Sequence, residues 1–184
     1  MMRSIDSRKP VLAALFTGFI IIGAYIVVPL PFSPVPIVLQ NYFVILAGLI
    51  LGPVYGAFSV AVYLVLGIIG LPVFSAGRGG FAHFIGPTGG YLVGFLVAAP
   101  LAALIASRDS GPIRTALAAT AGLIAVYVVG IPWLASVADL PLPAAVAAGA
   151  LPFIPGDAAK VVAAVITVRW ARPVLIAFEN AGSS

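Results

Sequence analysis

The strongest constraint on this chain is the near-absence of charge along its length. Long apolar runs follow one another, interrupted by proline, glycine and a few ionisable residues. Charged residues make up 8% of the chain and hydrophobic ones 62%, whereas soluble domains carry about 25% charged residues. A water-soluble surface cannot be assembled from this composition without exposing far too much apolar area. The runs are continuous rather than alternating, which argues against a membrane barrel. The expected fold is an all-α integral membrane protein, one domain over residues 1–184 with six transmembrane helices.

The punctuation sets the helix limits at roughly 11–28, 37–51, 54–69, 88–106, 114–134 and 157–176. The stretch Pro29–Pro36 ends the first, because proline lacks the N–H and disfavours helix in the residue before it. Gly52-Pro53 marks a tight turn. The segment Gly70–Gly90 is too interrupted to span, and Pro87 suits the start of the fourth helix. Between Ala135 and Gly156 stand four prolines and an Ala-rich piece, Ala144–Leu151, fit for a short helix. A full span needs about 20 apolar residues, fewer for a helix deep inside the bundle; the second and third helices are short for spans.

The charges partition across this topology. With six spans both termini share a side, and that side receives Arg3, Arg8, Lys9, Arg108, Arg114, Arg169 and Arg172. The other side receives only Arg78 and Lys160. The positive-inside rule then places the chain in the cell membrane with cytoplasmic termini. The same partition accounts for the net charge of +4; no basic run or basic helix face suits nucleic acid. The polar, basic Met1–Pro10 precedes an apolar run too long for a signal-peptide core, so a retained helix is expected. The lack of cysteine excludes disulfides, thiolate nucleophiles and thiolate-held metals.

The scarce polar residues define the candidate chemistry. Asp157 and Lys160 are three apart, so on a helix they share a face, and Asp157 at the helix N-terminus is favoured by the dipole. A charge inside the bilayer costs about 2.5–3.5 kcal/mol on insertion scales. Two readings follow: an ion pair turned inward to bind a polar ligand, or an interfacial pair that ends the helix and snorkels. Arg78 lies between glycines in Ser75–Gly80, as a loop folded over an anionic group or as a solvated arginine. Gln40 and Asn41 either line a pocket or tie helices together, since amides in an apolar span need partners. Gly86–Tyr91 lacks the Lys-Ser/Thr pair of a phosphate-binding loop, so the chain has no visible means of hydrolysing ATP. His83, the single histidine, cannot supply a zinc site and reads as a loop residue without a catalytic role. Ala14 and Gly18, four apart, allow close helix approach, either within the bundle or to another subunit.

Five runs in order carry a resemblance: Pro34–Gln40, Leu46–Gly52, Tyr63 through Gly70-Leu71-Pro72, Gly86–Tyr91, and Leu151–Asp157 with Lys160. They cover most of the chain, and in them it resembles the BioY family, the biotin-specific S components of energy-coupling factor transporters. The resemblance implies a six-helix S-component fold and biotin bound near the extracellular side. It implies a transmembrane coupling protein and two ABC-type ATPases as partners, with ATP hydrolysis supplied by those ATPases, and no cofactor, metal or catalytic residue of its own. Asp157 and Lys160 match the family's ligand-binding pair, and Ala14 and Gly18 would face the coupling protein. Some relatives carry an arginine just after the Gly-Gly-Tyr, where this chain has Leu92; Arg78 would supply that cation from a different position.

Biotin chemistry fits these groups. A carboxylate accepts from ureido N–H groups, an ammonium donates to the ureido carbonyl, and a guanidinium holds the valerate carboxylate. Phe81, Phe84, Tyr91 and Phe153 are candidates for the walls around the rings. The loops Pro29–Pro36 and Gly70–Gly86 would gate the pocket. The rivals are an S component for another vitamin, an intramembrane enzyme using His83 or Asp157, and a channel, against which stands the lack of a polar ladder along any helix.

Overall fold

The structure, a computed structural model, describes residues 8–106 and 111–180. Helix α1, Arg8–Tyr25, opens the bundle. It stops three residues short of the expected limit, and the reason is local. Two β-branched valines precede Pro29, which pushes the residue before it into extended backbone. The chain there forms a small ribbon: β1, Val27–Val28, pairs antiparallel with β2, Ile37–Val38, with Val27 opposite Val38. The second helix therefore starts at Gln40 rather than at residue 37.

Helix α2, Gln40–Ile68, is continuous only in hydrogen bonding, because Gly52 leaves helical geometry with φ 83° and ψ −180°. The chain reverses at this point. Gln40 Nε2 donates to Tyr63 Oη at 2.6 Å, although a straight helix would separate the two residues by about 35 Å. Gly48 and Gly56, each four residues from Gly52, cross in contact: a Cβ on Gly56 would lie 2.8 Å from Gly48 Cα. The expected turn at Gly52-Pro53 is thus a helical hairpin with limbs 40–51 and 53–68.

Beyond it come a 3₁₀ turn, Ser75–Gly77, and the single-turn α3, Phe81–Phe84. Helix α4, Gly89–Ile105, follows, then α5, Pro112–Val137, and the short α6, Leu142–Gly149. A second 3₁₀ turn, Leu151–Phe153, leads into α7, Ile154–Asn180. Helix α7 begins three residues before the expected limit. Pro155 is tolerated in its first turn, where the missing N–H costs little, and Asp157 consequently falls within that turn.

Helix α1 packs on α2, α2 on α4 and α4 on α5, while α7 closes against α5 and α2. The first limb of α2 is the axis of the bundle: Val44, Ile45, Leu46, Ala47 and Gly48 are buried in succession, which covers every face of a helix. Its shortness, about 18 Å, is allowed because protein rather than lipid surrounds it. Close packing comes from small residues. A Cβ on Gly94 would stand 2.9 Å from Val126 Cα, and Ala98, Ala99, Ala102, Ala118 and Ala119 are buried. Thr17 Oγ1, donating to the Ser59 carbonyl at 3.0 Å, ties α1 to α2.

Large apolar side chains point outward instead, among them Leu15, Ile22, Leu117, Val128, Val162 and Trp170. Such a belt suits lipid and would aggregate in water. The expected topology of six crossings is met by α1, the two limbs of α2, α4, α5 and α7. Of the cationic residues used for orientation, Arg3 and Arg108 lie outside the described residues, as do the side chains of Arg8 and Arg172.

The hairpin rests on Gly52, whose backbone only glycine adopts without strain. Gly52→Ala is expected to cost about 1–3 kcal/mol, read as a lower thermal midpoint in detergent. Gly18→Ala, whose added methyl meets nothing within 4 Å, should leave that midpoint unchanged or raise it slightly.

Candidate ligand-binding site

At one end of the bundle the connecting segments fold inward and bond to one another. Ser33 Oγ donates to the Ala148 carbonyl at 2.8 Å, joining the Pro-rich loop to α6. Tyr25 Oη donates to the Pro72 carbonyl, joining the end of α1 to the Gly-rich loop. Trp133 Nε1 holds the Gly86 carbonyl at 2.9 Å, and Tyr91 Oη holds the Gly149 carbonyl at 2.9 Å. Glycine is required at these crossings: a Cβ on Gly90 would press into Trp133, and one on Gly130 would stand 2.6 Å from the Tyr91 ring.

Under this roof lies a cavity of about 590 Å³, its open mouth included. Leu92 and Phe95 of α4, Leu123 and Val126 of α5, and Phe153 form apolar walls. Val35, Pro36 and Val38 close it from the ribbon side, and Ser75 and Thr88 from the Gly-rich segment. Gln40, Asn41, Tyr91, Tyr127 and Lys160 are its remaining polar edges.

Asp157 sits behind these edges, 6% exposed, and three of them bond to it. Asn41 Nδ2 donates to Oδ1 at 3.1 Å, Lys160 Nζ to the same oxygen at 2.9 Å, and Tyr127 Oη to Oδ2. Lys160 also donates to Asn41 Oδ1 at 2.8 Å and to the Val38 carbonyl at 2.9 Å. All three ammonium protons are thereby occupied. One polar cluster thus links α2, α5, α7 and the ribbon, with the ion pair turned inward rather than snorkelling to an interface.

The structure brings some of the expected residues together and leaves others apart. Asn41, Lys160, Tyr91 and Phe153 line the cavity, with Asp157 bonded directly behind it. Gln40 fulfils both roles left open for it, lining the cavity and tying the limbs of α2 through Tyr63. Besides Asp157, three of the expected residues do not line the cavity. Arg78 is exposed, its carbonyl engaged in a tight turn with the Phe74 N–H at 2.7 Å. Phe81 is 60% exposed, and Phe84 packs on it with ring centroids 6.5 Å apart. The physical cause is α3: its one helical turn carries Phe81 outward and seats Phe84, half-buried, against the core away from the cavity. Ala14 is exposed and Gly18 half-buried on α1, facing away from the rest of the bundle.

Tyr127 escaped the sequence reading. Its signal was a lone phenol inside an apolar helix, a group that needs a hydrogen-bond partner when buried; Asp157, 30 residues away, gave no local hint. His83 stacks near Phe74 at 5.5 Å between centroids. Burial first, and the Arg78 charge second, hold its pKa below the usual imidazole value. Among the described residues no cluster of three or more His, Cys, Asp or Glu side chains is placed to hold a metal.

Comparison with known proteins agrees with this architecture. The BioY family profile matches residues 1–177. The chain is 44% identical to a probable biotin transporter BioY of Pyrococcus horikoshii, over 87% of this chain and 93% of that one. It is 39% identical to the biotin transporter BioY of Thermotoga maritima, over 88% and 95% respectively. Among solved structures, it superposes on the S-component for biotin from an ECF-type ABC transporter with a TM-score of 0.84 and 36% identity, covering 94% of this chain and 95% of that one.

The buried pair generates a prediction of its own. Removing one charge leaves the other unpaired, so Lys160→Met is expected to destabilise the ligand-free protein by about 3–5 kcal/mol. The double variant Asp157→Leu with Lys160→Met should cost less than Lys160→Met alone. Thermal unfolding of the purified variants in one detergent makes the comparison.

Proposed function

The chain belongs to the BioY family, and on that premise we propose that it captures biotin from outside the cell as the substrate-binding subunit of an energy-coupling factor transporter. The observation that carries this reading is the Asp157–Lys160 ion pair, buried at 2.9 Å beside a roofed, mostly apolar cavity. Biotin combines an apolar bicycle with a ureido group and an anionic tail, and the cavity offers surfaces of matching kinds. Tyr91, Phe153 and Phe95 cover the rings. Asn41 and Lys160 serve the ureido end, and Asp157, directly behind them, holds both in place. To reach the ureido carbonyl, Lys160 exchanges one of its present acceptors, and the Val38 carbonyl is the one that leaves the ion pair intact. Ligand arrival would then loosen the ribbon or reseat it on the ligand.

Arg78 is assigned the valerate carboxylate at the mouth. What supports this is its place in the loop whose Ser75 lines the cavity, three residues away. Phe81 and Phe84, on the helical turn of the same segment, come to the ligand only if that segment moves as a gate.

We read residues 1–184 as one membrane domain with cytoplasmic termini. The orientation rests on the partition of basic residues. The coupling protein would dock on the outward face of α1 at Ala14 and Gly18, where no neighbouring atom meets a Cβ on Gly18. Two ABC-type ATPases would supply the energy, in keeping with a chain that has no phosphate-binding loop of its own.

Equilibrium binding of labelled biotin to the purified protein tests the reading, with thiamine and riboflavin as competitors. Tight biotin binding that neither competitor displaces is expected; displacement by either would point to a different vitamin. Asp157→Asn should weaken biotin binding by about 10–100-fold, the weight of hydrogen bonds to a charged group. Arg78→Leu should weaken biotin far more than biotin amide, and equal losses for the two would remove the arginine from the carboxylate. Gly18→Trp should leave binding intact while lowering ATP-dependent uptake by about tenfold or more, the scale of losing one packed interface anchor.

A further inference from the structure

Tyr127 is a cavity-lining polar group whose hydrogen-bonding sense is fixed by the structure. Its single hydroxyl proton is directed to Asp157 Oδ2, and a phenol has only that one proton to give. What its oxygen can show to the cavity is therefore lone pairs alone. Donation to a carboxylate also polarises the phenol oxygen and makes it a better acceptor.

The neighbouring groups are committed differently. Asp157 is already held by three donors and does not itself line the cavity. The three protons of Lys160 are taken by Val38, Asn41 and Asp157. Asn41 Oδ1 receives both Lys160 and the Tyr42 N–H, leaving its amide one spare N–H. Tyr91, the other phenol on the cavity, is the more buried of the two and bonds a neutral carbonyl, that of Gly149.

We propose that Tyr127 is a specificity-determining residue, its oxygen accepting one ring N–H of the ligand while its own proton remains on Asp157. The ligand class it selects presents a donor at that point, as a cyclic urea does, and a ligand presenting an acceptor there is refused. Asp157 has a second role in this arrangement: it orients the phenol and so determines which face of the hydroxyl the ligand meets. This deepens the biotin-binding reading and rests on it.

The test compares biotin with its two cyclic carbamate analogues, in each of which a ring oxygen replaces one ureido N–H. Wild-type protein is expected to reject one of the two by about 100-fold or more, as sites built around a hydrogen bond reject ligands lacking it. In Tyr127→Phe, biotin binding should weaken by about 10–100-fold, and the discrimination against that carbamate should fall to within about threefold. A general loosening of the fold would weaken biotin and the carbamate alike and leave their ratio at the wild-type value; that result overturns the proposal. Wild-type protein that binds both carbamates as tightly as biotin overturns it without any variant, so poor folding of Tyr127→Phe does not shelter it. Failure of the wild type to bind biotin at all would instead bring down the functional reading, and this inference with it.

Discussion

A carboxylate enclosed in an apolar bundle is tolerable only when its lone pairs are occupied and its charge is met. Asp157 satisfies that demand with donors from three helices: Asn41 on α2, Tyr127 on α5 and Lys160 on α7. Its place in the first turn of α7 adds the favourable end of the helix dipole. Because each donor comes from a different element, the carboxylate fixes where those helices stand at the roofed end. The cavity beside it is the space left once they are so held. Lys160 extends the arrangement outward, since its bond to the Val38 carbonyl fastens the ribbon between α1 and α2 to the same cluster.

The opposite requirement operates along the rest of the bundle, where polar ties such as Thr17 to the Ser59 carbonyl and Tyr42 to Thr167 are scarce and helices approach through small residues. The hairpin at Gly52 lets two short limbs fold side by side, and the Gly48–Gly56 crossing brings their backbones together. That crossing is what places Gln40 next to Tyr63 and stations Asn41 at the cavity. The alanines and glycines of α4 and α5 play the corresponding part on the other side. Close backbone packing thus positions the polar cluster, and the cluster in turn prevents those helices from sliding.

Much of this was legible in the sequence because the signals were local. Apolar runs and their Pro/Gly punctuation located the helices, and Gly52-Pro53 announced the reversal. The spacing of Asp157 and Lys160 put both on one helix face, and the amides of Gln40 and Asn41 stood out against an apolar span. Non-local features were not legible. The ribbon at Val27–Val28 depends on partners nine to eleven residues on, and apolar valines before a proline read equally well as a helix end. Tyr127 declares its role only when α5 and α7 are side by side. Phe81 and Phe84 have the right chemistry for a ring wall, yet a single helical turn aims Phe81 outward and packs Phe84 on the core instead of the cavity, and composition carries no trace of that turn.

A neutral polar site differs in kind from a charged one, and this shapes what the cavity can hold. The Asp157 and Lys160 charges cancel at 2.9 Å, so the innermost part of the cavity presents hydrogen-bonding groups without a net charge to attract an ion. Inorganic cations and anions gain little there, whereas a neutral group with donors and acceptors in fixed order gains a great deal. A charged portion of the ligand is better accommodated toward the mouth, where solvent lowers the cost of burying it. A molecule with an uncharged polar head, an apolar body and an anionic end would on these grounds favour one direction along this cavity. The same asymmetry that keeps the bundle stable in lipid gives the site its polarity.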